Sequence, residues 1–137
     1  MNVLIIDDDQ DDVELFKEAV NELNPEISCW SAPDGQQGYK MLTEDLVVLP
    51  DFIFLDVNMP VMGGQECLRK IKSNSRLKSI PVFMYSTTRN DREIHEYENL
   101  GAEDFIIKPS EFKKLVQVIK SILLKKKMNK EWPIAGE

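Results

Sequence analysis

The sequence predicts an α/β fold: a parallel five-stranded sheet of order 2-1-3-4-5, covered by helices on both faces. Three observations carry this. Short apolar runs take turns with segments that are apolar at helical spacing, which is the pattern of successive βα units. The runs lack polar alternation, as strands buried on both faces require. The chain has 137 residues, 42% hydrophobic and 30% charged, enough for the core and the surface of one domain.

The first run, "NVLII" (Asn2–Ile6), reads as a doubly buried strand. "ISCWSA" (Ile27–Ala32) is weaker and belongs nearer an edge. "FIFL" (Phe52–Leu55), "PVFMY" (Pro81–Tyr85) and "DFII" (Asp104–Ile107) complete five. Between them, Val13, Phe16, Val20 and Leu23 share one face of a first helix. Tyr39, Leu42 and Leu46 do so in a second, and Cys67, Leu68 and Ile71 in a third. The fourth, Asp91 to Leu100, has only a narrow apolar face from Ile94, Tyr97 and Leu100, so we expect it to be loosely held. In the last, Phe112, Leu115, Val116, Ile119, Ile122 and Leu123 form a full stripe. Parallel strands need right-handed crossovers, and five βα units of this size fit the flavodoxin-like strand order.

Residues 1–127 are expected to form the domain and 128–137 a C-terminal tail, in which Trp132 and Ile134 could pack on the body or on a partner. A net charge of −7 argues against a nucleic-acid partner. The basic run Lys125–Lys127 suits a helix end instead. Cys29 and Cys67 are isolated within apolar patterns and read as buried thiols, not a disulfide or a zinc site. No segment reaches the roughly 18 apolar residues of a membrane span, and the apolar start lacks a basic region and runs into aspartates, unlike a signal peptide. The expected compartment is the cytoplasm.

Sheets of this order bind ligands at the carboxyl ends of their strands, where the order reverses. Asp7 and Asp8 follow the first strand, Asp56 the third, Ser86 and Thr87 the fourth, and Lys108 the fifth. Strands 1, 3, 4 and 5 are neighbours in the predicted order, so three carboxylates, a hydroxyl and an ammonium meet on one rim. Two like charges 4 Å apart repel by about 4 kcal/mol at an effective dielectric of 20. A hard divalent cation, Mg²⁺ or alternatively Mn²⁺, relieves that repulsion through oxygen ligands. Asp56 lies at the centre. Beside a cation and a lysine it is a competent nucleophile toward phosphorus, with Lys108 and the Ser86 hydroxyl neutralising charge.

The motifs "LIIDDD", "FIFLDVNMPVMGG", "VFMYST" and "DFIIKP", in this order and spacing, resemble the CheY-like receiver domain of two-component response regulators. The resemblance covers about residues 2 to 124, and "DDDQDDVELF" with "SNSRLKSIP" looks like the single-domain type. By position it implies that Asp7 and Asp8 are the acidic pair and Asp56 the phosphoacceptor. It further implies that the backbone carbonyl of Asn58 is a metal ligand, that Ser86 is the switch hydroxyl and that Lys108 binds phosphate. Phe105 matches the switch aromatic; it is Phe where Tyr is common, so a hydroxyl-based readout is absent at that ring. Asn58 and Thr88 match positions that tune phosphate lifetime. The implied donor is a sensor histidine kinase or a histidine phosphotransfer protein. The implied output is contact with an unknown downstream protein through helix 4, strand 5 and helix 5, or onward transfer of the phosphoryl group. No membrane partner is implied, and homodimerisation stays open.

Other features have plainer readings. Asp9, Asp11 and Asp12 suit the start of the first helix. Gly63 and Gly64 read as a turn and helix entry, His95 as surface, and Met59, Met62 and Met84 as packing. A cis Lys108–Pro109 bond would aim the lysine inward. Two rivals remain. One is a haloacid dehalogenase-type phosphatase using Asp7-x-Asp9, against which Asp11 stands where that family has Thr or Val. The other is a pseudo-receiver that binds partners without phosphorylation, against which the Asp56–Ser86–Lys108 set stands.

Overall fold

The computed structural model describes residues 1–87 and 89–129, with side chains as far as 125. The element order is β1 (Asn2–Ile6), α1 (Gln10–Leu23), β2 (Ser28–Ala32), α2 (Gly35–Lys40), β3 (Phe52–Asp56), α3 (Gly64–Ser73), β4 (Val82–Ser86), α4 (Asp91–Asn99), β5 (Asp104–Ile107) and α5 (Phe112–Asn129). All four pairings are parallel and the order is β2-β1-β3-β4-β5, as predicted.

Residues alternate across a strand, so each central strand feeds two cores. Leu4, Ile6, Ile53, Leu55, Val82 and Met84 face one way, against Cys67, Leu68 and Ile71 of α3 and Tyr97 of α4. Val3, Ile5, Phe52, Phe54, Phe83 and Tyr85 face the other, against Val13, Phe16 and Val20 of α1 and Leu115 and Ile119 of α5. Both faces are apolar because both are covered. The second core is aromatic: the Phe16 and Phe54 rings lie 4.7 Å apart and those of Phe54 and Phe83 5.3 Å.

The second predicted helix is not regular to its end. After Lys40 the chain widens into a π-helical turn over Met41–Asp45, closed by the Leu46 N–H to the Met41 carbonyl at 2.9 Å. Within it the Thr43 hydroxyl donates to the Tyr39 carbonyl at 2.9 Å, the local bonding that loosens helices at Ser and Thr. Gly38 lets α2 lie on the sheet, since a Cβ there would sit 2.4 Å from Ile6 Cδ1. Helix α4 gives the core one buried residue, Tyr97, in keeping with its narrow apolar stripe.

The thiol expectation holds for Cys67, which is buried with its Sγ 3.7 Å from the Gly35 carbonyl, whereas Cys29 is half-buried. Burial pushes the Cys67 thiol up to about 12 and the Cys29 thiol up to about 11, so neither is a nucleophile at neutral pH. Gly63 and Gly64 form the entry to α3, and His95 is exposed. Met62 and Met84 are buried and Met59 packs partly against them. Trp132, Ile134 and Thr88 lie outside the described residues. No helix among the described residues is long and apolar enough to cross a membrane.

Candidate functional site

The site is built at the carboxyl ends of β1, β3, β4 and β5. Asp7 is carried one step past β1, its N–H still bonded to the Ala32 carbonyl at 3.0 Å, and it is fully buried. Its Oδ1 accepts the Asp9 N–H at 3.0 Å, a local turn that leads the chain into α1. Asp9 is the N-cap and accepts the Asp12 N–H at 3.2 Å, as its plain reading required. Asp8, next to Asp7, is exposed.

Asp56 ends β3 and is only 8% exposed, with its Oδ1 accepting the Val57 N–H at 2.9 Å. Helix α3 begins directly against it. A Cβ on Gly64 would lie 2.4 Å from the Asp56 carbonyl oxygen and 2.9 Å from Val57 Cα, so glycine is what lets the helix start there. The loop between holds exposed Asn58 and a strained residue, Val61, at φ 68°. A β-branched residue is costly at positive φ, whereas Asn tolerates it. Val61 is 77% exposed and packs little. Val61→Asn should therefore raise stability by about 1 kcal/mol, a few degrees in Tm, read by thermal denaturation; an unchanged or lower Tm would count against strain here.

Lys108 follows β5, its N–H bonded to the Ser86 carbonyl at 2.7 Å. That pairing carries the side chain to the rim, and the described residues contain no cis peptide bond. The expected cis Lys108–Pro109 bond is therefore corrected: it is trans, and the pairing with Ser86 brings the lysine to the rim. The Lys108 Nζ lies 2.8 Å from Asp7 Oδ2, 2.8 Å from Asp12 Oδ2 and 3.8 Å from Asp56 Oδ1. It also sits 5.2 Å from the centre of the Tyr85 ring, a favourable cation–π distance. Ser86 is buried at the end of β4, one residue past Tyr85, the register partner of Asp56. Phe105 is half-buried on β5, its ring 5.9 Å from that of Tyr97.

Asp12 was missed as a site residue. Read only as a helix starter, it instead reaches Lys108 from the first turn of α1. The available signal was its place one turn before Phe16, on the inward stripe of the helix. Asp11 stays exposed, as expected.

Crowding perturbs Asp56, Asp7 and Lys108. Burial, then the field of Asp7, pushes the Asp56 carboxyl up to about 7; Lys108 and the Val57 N–H oppose this, and a hydrogen bond with Asp8 adds to it. Burial likewise raises Asp7, against the pull of Lys108 and the Asp9 N–H. Burial alone would lower Lys108, but its bonds to Asp12 and Asp7 and the field of Asp56 hold it above the ordinary lysine range.

The donor set fits a divalent cation. Asp7, Asp8 and Asp56 each offer one carboxylate oxygen, and these three oxygens lie within 4.8 Å of one another. Asp7 Oδ2 is buried, and the group facing it is the Lys108 ammonium at 2.8 Å. All-oxygen carboxylate sites suit hard cations.

The sequence matches the model of the response regulator receiver domain over residues 3–120. The chain belongs to the response regulator receiver family. The receiver is 32% identical over 124 residues to "Protein CcdB" of Bacillus subtilis (strain 168), covering 88% of this chain and 96% of that protein. Two other curated relatives are longer, the match spanning 27% of one and 50% of the other. Among solved structures, the phosphorylated cyanobacterial phytochrome response regulator RcpA superposes with a TM-score of 0.81 at 30% identity, covering 88% of this chain and 89% of that one. The Mn²⁺-bound response regulator Rcp1 does so with a TM-score of 0.78 at 26% identity, over 88% and 90%. The receiver's acidic pocket is thus Asp7, Asp8 and Asp56, and it can hold a divalent metal.

Proposed function

We propose that this receiver accepts a phosphoryl group on Asp56 in a Mg²⁺-dependent reaction and passes the signal on by protein contact. The observation that carries the proposal is the meeting of Asp56, Asp7 and Lys108 across three strand ends, with Lys108 Nζ 3.8 Å from Asp56 Oδ1. Asp7, Asp8, Asp56 and the backbone carbonyl of Asn58 would hold the cation. When bound, Mg²⁺ offsets carboxylate charge and orients phosphate oxygens; Mn²⁺, which Rcp1 binds, is an alternative.

The protein's own part follows from its charges. A carboxyl raised to about 7 is a poor nucleophile while protonated. Lys108, on the same rim, favours the anion and then faces the transferred group. One Asp56 oxygen forms a bond to phosphorus as the phosphorus–nitrogen bond of a phosphohistidine breaks. The leaving nitrogen keeps the electron pair, and the donor is a sensor histidine kinase or a histidine phosphotransfer protein. The added charge, about −1.5 to −2 by analogy with phosphorylated hydroxyl residues, draws in the Ser86 hydroxyl. Phe105 follows, and the face of α4, β5 and α5 changes shape for a downstream protein. The setting supports such a shift, since Phe105 rests on Tyr97, the one buried residue of α4.

Mass spectrometry after incubation with acetyl phosphate and Mg²⁺ tests the reading. Wild type should gain one phosphoryl group, and Asp56→Asn should gain none. A label that survives Asp56→Asn but vanishes in Asp7→Asn would move the nucleophile to Asp7 and end the proposal.

A further inference from the structure

Lys108 has more carboxylate partners than phosphoryl transfer to Asp56 requires. Its ammonium carries three N–H donors. Its two closest oxygens are Asp7 Oδ2 and Asp12 Oδ2, both at 2.8 Å, while Asp56 Oδ1 stands back at 3.8 Å. The Asp12 contact is no exposed surface ion pair: the Lys108 side chain is 8% exposed and that of Asp12 28%. Nor is Asp12 free to swing away. It sits in the first turn of α1, its N–H bonded to the Asp9 cap and its inward direction shared with fully buried Phe16.

We propose that Asp12 is a positioning residue that divides Lys108 between cation and phosphoryl binding. By holding the ammonium it leaves Asp7 freer for a divalent cation, and it weakens the lysine's pull on an anion at Asp56. This rests on the receiver reading of the site given above.

The two consequences have opposite signs. Neutralising Asp12 removes a negative charge that attracts the cation. It also leaves Asp7 as the only charged partner within 3 Å of the ammonium among the described residues, so a cation must compete harder for Asp7. Both effects weaken cation binding. The same change leaves the ammonium less compensated and removes a charge that repels an anion, so both effects strengthen anion binding. A residue that merely held the fold together would weaken both ligands alike.

The test is calorimetric titration of the full chain with Mg²⁺, then with beryllofluoride at saturating Mg²⁺, for wild type, Asp12→Asn and Asp12→Glu. Asp12→Asn should bind Mg²⁺ about three- to ten-fold more weakly and beryllofluoride more tightly by a similar factor, as expected for one unit charge a few Å away in a partly screened site. Asp12→Glu, which keeps the charge on the same helix turn, should return both affinities toward wild type. The inference fails if Asp12→Asn weakens both ligands, moves neither, or is not rescued by Asp12→Glu. A wild type that binds neither ligand overturns the receiver reading and this inference with it, whereas a wild type that binds both beside an unchanged Asp12→Asn overturns this inference alone.

Discussion

Replacing Lys108 by Met should cost the metal-free protein about 2–4 kcal/mol at pH 7.5, the range for breaking a buried ion pair from one side, reduced for the open rim. Methionine keeps an apolar stem over the Tyr85 ring, so the loss reports charge more than packing. It leaves Asp7, fully buried, without its ammonium partner, and Asp56 and Asp12 without theirs. Lowering the pH should shrink the deficit, because Asp7 and Asp56, both raised by burial, neutralise by taking protons. Adding Mg²⁺ should shrink it too, and the variant should bind Mg²⁺ more tightly than wild type, a competing cation having gone. Urea denaturation at pH 5 and 7.5, with and without Mg²⁺, separates these cases. Wild-type stability at pH 7.5 without metal would show that Lys108 is not what holds the carboxylates together.

The sheet was legible because its strands are covered on both sides. Val3 and Ile5 serve one core and Leu4 and Ile6 the other, so the whole run must be apolar. The rim could be read for the same reason: each strand stops where its apolar run meets a polar residue. What escaped depends on side-chain reach and local hydrogen bonding, which spacing does not report. The turn at Met41–Asp45 looked like ordinary helix because Leu42 and Leu46 kept the apolar rhythm, whereas the Thr43 hydroxyl and the Leu46 N–H widen it. Asp12 looked like one more acid at a helix start because Asp9, Asp11 and Asp12 all suit a helix dipole. Only the meeting of α1 with the end of β5, ninety-six residues on, singles it out. Lys108 needed no unusual peptide bond, since its pairing with Ser86 already places it.

Divalent-cation affinity should fall steeply as pH drops below 7. Asp56 is raised to about 7 in the folded, metal-free protein, against about 3.9 in an unfolded chain. Between those values the folded state holds a proton that the unfolded state has lost. The stability this carboxyl contributes is thus fully present below about pH 4 and is lost as pH rises to about 7. A cation must displace that proton, so with one proton released its affinity should drop up to about ten-fold per pH unit below 7 and level off above it. Asp7, also raised, can only steepen the fall. The two linkages pull apart: without metal, Tm should decline from pH 5 to pH 8, while the gain in Tm from saturating Mg²⁺ should grow over the same range. In Asp56→Asn the metal-free decline should flatten, because the titrating group is gone. The decisive measurement is the Mg²⁺-induced Tm shift of wild type at pH 5, 6, 7 and 8. A shift constant across that series would mean that the carboxyl binding the metal is already ionised at pH 5, and so that Asp56 is not held up by its burial and by Asp7.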